Sequence, residues 1–91
     1  MMALGKNSIL SAAAWAKLAK DMGMSPRQEQ IANCVFMGFG DKEIAEEIGV
    51  SVPTVRTHMG RLFNKLDVDD RAKLVLVVMR RYCQDYCPHR Q

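Results

Sequence analysis

Apolar residues recur at helical intervals along most of the chain, and no segment alternates strictly enough to predict a strand. A first helix is predicted from about Ser8 to Met22, with Ile9, Trp15, Leu18, Ala19 and Met22 on one face. Met24-Ser25-Pro26 opens a second that runs to about Met37. Ser25 and Gln28 have capping-box spacing, and Pro26 stands at the first helical position, where its missing N–H costs nothing. Gly38 and Gly40 end that helix. Residues 41–65, DKEIAEEIGVSVPTVRTHMGRLFNK, then read as a short helix, a tight turn and a longer helix. Ile44 and Ile48 form the apolar stripe of the short helix. Val55, Met59, Leu62 and Leu66 form that of the longer one, at i, i+4, i+7 and i+11.

The turn between these two helices is specific. Gly49 stands where the chain must leave the short helix in a left-handed conformation, which glycine adopts without a Cβ clash. Ala45 is small where the second helix should cross the first. Ser51 can cap the longer helix, and Pro53 fits its first turn. This is a helix-turn-helix of the kind that binds DNA. Charge points the same way. From Ile48 through Leu66 there is no Asp or Glu, while Arg56, Arg61 and Lys65 project from the longer helix. A duplex carries one negative charge per roughly 1.7 Å of axis, so a helix entering its groove must be poor in carboxylates.

The last predicted helix follows a turn and N-cap at Asp67-Val68-Asp69-Asp70, whose carboxylates suit a helix N-terminus. Its run Leu74-Val75-Leu76-Val77-Val78-Met79 is apolar without a break. One core can absorb only one side, expected to be Val75, Val78, Met79 and Tyr82. Leu76 and Val77, flanked by Lys73 and Arg80, are then left facing outward, to be covered either by the N-terminal helix with its Trp15 or by the same helix of a second copy. A homodimer, weak when free and completed on DNA, is expected. Trp15 is expected to be buried against the core or across that subunit boundary.

At 91 residues the chain has room for one small domain, and a net charge of +3 is too modest for a polybasic tail. The expected division is an N-terminal helical extension over 1–23, a helix-turn-helix domain over 24–83 and a tail over 84–91. No apolar run approaches the roughly 20 residues that span a bilayer, so no membrane partner is expected. Lys17, Lys20 and Asp21 break up the apolar start of the chain, which argues against a secretory leader and for a cytoplasmic protein. Of three cysteines, Cys34 falls on an apolar face beside Ile31 and Val35. Cys83, Cys87 and His89 offer three ligands with no second pair elsewhere, so no metal site is expected. There is no base–nucleophile spacing and no phosphate-cradling glycine loop. Neither enzymatic activity, nor a cofactor, nor a small-molecule ligand is expected.

Four motifs follow one another in order. They are Met24-Ser25-Pro26-Arg27-Gln28, Gly38-Phe39-Gly40-Asp41-Lys42-Glu43-Ile44-Ala45, Thr54-Val55-Arg56-Thr57-His58, and Lys65-Leu66-Asp67-Val68 with Asp70-Arg71. In these, from Met24 to about Tyr82, the chain resembles the LuxR/GerE-type helix-turn-helix domain of bacterial transcription regulators. The resemblance implies an all-α fold, a small bundle in which a four-helix core carries an extra N-terminal helix. It implies that residues 52–66 form a recognition helix lying in the major groove of double-stranded DNA. Arg56, Thr57, Gly60 and Arg61 would then occupy base-contact positions, and Lys42, Ser51, Thr54 and Lys65 phosphate-contact positions. Dimerisation through the last helix also accords with the family. Three positions depart from its pattern: Gln28 replaces Glu, Asp41 replaces Asn, and Gly60 offers no side chain at a base-contact position. The chain is expected to be a stand-alone regulator. The alternative is a protein-interaction module that pairs with related regulators through its last helix and binds DNA weakly or not at all.

Overall fold

The computed structural model describes residues 10–86, with the backbone alone at 85 and 86. Five helices account for most of it: α1 (Ala12–Met22), α2 (Pro26–Phe36), α3 (Asp41–Ile48), α4 (Val52–Leu66) and α5 (Arg71–Tyr86). Every start is capped by a local group. Ser11, Ser25 and Ser51 each accept a hydrogen bond from the backbone N–H three residues on. Asp70 Oδ1 does the same for Lys73 N at 2.8 Å. Ser25 and Gln28 complete a reciprocal capping box. Glycine cannot cap α3 with a side chain, so Glu43 Oε1 reaches back to Gly40 N at 2.8 Å.

The first helix begins later than its periodicity suggests. Leu10 and Ser11 are not helical, and the Ser11 cap sets the start at Ala12. Ser8 and Ile9 lie outside the described residues. At the other end α5 continues through Tyr86, past the expected boundary at 83, while Cys87 and His89 lie outside the described residues.

The core runs through all five helices. Trp15 and Leu18 of α1 are fully buried, with Ile31 of α2, Ile44 of α3, Val55 and Leu62 of α4, and Leu74 and Val78 of α5. The Trp15 ring meets Phe36 edge-on, with centroids 5.1 Å apart at 80°, the geometry that the ring quadrupoles favour. Among the described residues Asn33 is the one buried polar residue, and no buried side-chain N or O lacks a partner.

The last helix corrects the sequence reading. Leu74, absent from the expected set, is fully buried with Val78, while Val75, Met79 and Tyr82 are half-buried and pack against the core. Val77 does not face freely outward. It is half-buried and lines a shallow depression with Met22 at the end of α1. The N-terminal helix packs against α5, and among the described residues Leu76 is the exposed large hydrophobe, at 57%.

Candidate nucleic-acid interface

The turn between α3 and α4 sets their relative placement. Gly49 takes φ 75° and ψ 38°, and the N–H groups of Gly49 and Val50 both return to the Ala45 carbonyl, at 2.9 and 3.0 Å. This closes the helix end and leaves Val50 alone before the Ser51 cap. Arg27 of α2 adds a tie from outside the motif, its Nη1 lying 3.5 Å from the Ile48 carbonyl. Ala45 is buried at the crossing, where a longer side chain would drive α4 away.

With Val55, Met59 and Leu62 turned inward, α4 exposes Pro53, Arg56, Thr57, Gly60, Arg61 and Asn64 along one face. That face carries two arginines and no carboxylate of its own helix. Ser51 Oγ accepts from Thr54 N at 3.2 Å and lies 2.9 Å from Thr54 Oγ1, so both hydroxyls sit at the positive end of α4. Thr57 Oγ1 donates back to the Pro53 carbonyl at 3.1 Å. Lys42 is exposed on the first turn of α3, and Lys65 is exposed near the end of α4. Lys65 lies against the turn that ends α1: a Cβ added to Gly23 would come 3.7 Å from its Nζ. His58 is half-buried between the apolar and exposed faces. Gly60 is an open gap, since a Cβ there would meet nothing within 4 Å. Beside it a shallow groove of about 680 Å³ separates α4 from the start of α5, lined by Met59, Phe63 and Ala72 together with the charged Asp41, Arg56, Asp69, Asp70 and Arg71.

Reading the residues alone missed one arrangement. Asp41 brings a carboxylate to the arginine face from α3 and does not stand alone there. Its Oδ1 pairs with Arg71 Nη2, and its Oδ2 accepts from Arg56 Nε at 3.2 Å. Arg71 is itself fixed, donating from Nη1 to the Phe39 carbonyl at 2.9 Å. Asp41 and Arg71 were each visible as motif positions, but nothing in their 30-residue separation signals that they meet.

On α5, Lys73 pairs with Asp69 at 3.0 Å, and Lys73, Leu76, Val77 and Arg80 border one shallow depression with Val68. Among the described residues no group of three His, Cys, Asp or Glu side chains could hold a metal ion. None of the described helices is long and apolar enough to cross a membrane.

A tight glycine turn, a capped second helix with a basic outer face and a supporting bundle define a helix-turn-helix domain of the DNA-binding class. The chain belongs to the luxR family of bacterial regulatory proteins, whose GerE sequence profile matches residues 22–78. It is 33% identical over 63 residues to the oxygen regulatory protein NreC of Staphylococcus haemolyticus, covering 69% of this chain and 29% of that one. It is 39% identical over 62 residues to the probable transcriptional regulatory protein NarL of Mycobacterium tuberculosis, covering 68% and 29%. To the transcriptional regulatory protein TdiR of Thauera aromatica it is 38% identical over 64 residues, covering 68% and 28%. The chain therefore spans less than a third of the length of these curated relatives. No solved structure gives a significant match.

Proposed function

We propose that this domain regulates transcription in the bacterial cytoplasm by binding double-stranded DNA with α4 in the major groove. Residues 24–83 would form the DNA-binding unit and residues 1–23 an N-terminal helical extension, of which α1 packs against that unit. Arg56, Thr57 and Arg61 reach base edges in this reading, and Gly60 lets the helix backbone approach closely. Lys42, Ser51, Thr54 and Lys65 hold phosphates and set the register without reading sequence. The observation that carries the reading is the exposed face of α4, which presents arginines and hydroxyls and has no acid between Ile48 and Leu66.

Binding-site selection from a random duplex pool at two salt concentrations tests it. Sequence-dependent, salt-sensitive binding is the expected result. Arg56→Ala should cost about 1–3 kcal/mol and relax preference at one base pair. Lys65→Ala should weaken all sequences alike and flatten the salt dependence. If no duplex binds in a salt-sensitive way, the domain is a protein-interaction module.

The exposed Leu76, bordered by Lys73, Val77 and Arg80, favours a small homodimer contact that is completed when two copies occupy adjacent half-sites. Leu76→Glu should leave the monomer folded, because the side chain is already in water, and should abolish cooperative binding to paired half-sites. Unchanged cooperativity would place the contact elsewhere.

A further inference from the structure

Arg56 is not a free cation on the outer face of α4. Its side chain is 70% exposed, yet its Nε is held by Asp41 Oδ2, and Asp41 is held from behind by Arg71. Arg71 is in turn tied to the Phe39 carbonyl, so the carboxylate is a fixed charge beside the recognition helix. The engaged atom matters. With Nε occupied, the guanidinium keeps its Nη1 and Nη2 donors, which have no partner among the described residues.

We propose that Asp41 is a positioning residue for base reading: it holds Arg56 by Nε, presents the Nη1–Nη2 edge to a guanine, and disfavours capture of Arg56 by phosphate. This rests on the DNA-binding reading above. Guanine offers two acceptors, O6 and N7, on its major-groove edge, and two parallel N–H groups satisfy both. Adenine pairs its N7 acceptor with an N6 donor, which arginine cannot accept. An arginine already held in one geometry also loses less rotamer freedom on binding. A phosphate on the same donors would bring a second anion close to the Asp41 carboxylate, whereas a guanine edge is neutral. Asp41 therefore weakens binding to arbitrary sequence while sharpening preference at one base pair.

The test is a double-mutant cycle on the full chain: wild type, Asp41→Asn, Arg56→Ala and the double variant. Each is titrated with a selected duplex, with versions changed at the Arg56-dependent base pair, and with random duplex over a range of salt. Asn is close to isosteric with Asp, and circular dichroism checks that the variants are folded. A bidentate arginine–guanine pair gives about 5- to 150-fold discrimination. Asp41→Asn should lower that preference several-fold while tightening binding to random duplex. It should also steepen the salt exponent by about 0.9, because one more cation is left uncompensated. In the Arg56→Ala background it should leave base preference unaltered.

Guanine preference retained in Asp41→Asn overturns the proposal, as does the same loss of preference when Arg56 is already absent. If the wild type binds duplex but Arg56→Ala alters no base preference, Arg56 is not a reader; the proposal falls and DNA binding stands. If the wild type binds no duplex, both fall. The Arg56 Nε–H signal in nuclear magnetic resonance is a readout independent of how the variants fold. Held by Asp41 it exchanges slowly with water, and rapid exchange in the wild type at pH 6 overturns the proposal.

Discussion

Truncating Trp15 tests whether α1 is a structural part of the domain, since this residue lies outside the stretch shared with the family. Trp15→Ala removes a fully buried indole and its edge-on contact with Phe36. Large-to-small substitution of a buried Trp costs about 3–5 kcal/mol, combining lost transfer energy with the cavity left behind. A domain of this size has a total stability of about 5–14 kcal/mol at the usual value per residue. The substitution should therefore remove about a fifth or more of the stability and lower the melting midpoint by at least about 12 °C. Urea titration followed by helical circular dichroism measures it, with Trp15→Phe as a control that keeps most of the volume. Indole fluorescence of the wild type should be blue-shifted and poorly quenched by iodide. A destabilisation below about 1 kcal/mol would mean that α1 rests on the bundle as an appendage.

Three further outcomes follow from individual residues. Gly60→Ala should stabilise the protein by up to about 1 kcal/mol, because the position is exposed within a helix and its added methyl meets nothing within 4 Å; a loss of stability would mean that the site is not open. Asp67 ends α4 with φ 57° and ψ 47°, placing a carboxylate at the negative end of the helix dipole. Asp67→Asn tolerates that backbone and should gain about 0.3–1 kcal/mol at low salt, a gain that shrinks as salt rises; no gain at low salt would refute the dipole argument. Burial, with Glu47 adding to it, pushes the Cys34 thiol up from 9.0 to about 11. The unfolded thiol thus loses its proton first, and stability should fall as pH rises from about 9 to 11. Relative to the wild type, Cys34→Ala should lose less stability across that interval in chemical melts; parallel curves would count against a buried thiol.

Much of this protein was settled by local chemistry. The all-α character, the caps at Ser25 and Ser51, the turn at Gly49 and the inward stripe Val55-Met59-Leu62 are consequences of period and neighbouring residues. Such interactions span only three or four positions, so the chain itself displays them. The basic outer face of α4 was legible for the same reason: inward residues on a helix dictate which ones point out. What required the tertiary structure were contacts between segments far apart in the chain. The run 74–79 is apolar on every side, so periodicity could not select Leu74 and Val78 for the core. That choice is made by where α1 and α2 pack against α5. In the sequence Asp41 stood out only as a replacement of the family's Asn, whereas in the fold Arg71 and Arg56 meet its two oxygens. An ion pair between residues 15 or 30 positions apart depends on the crossing of whole helices, a geometry that no short pattern encodes.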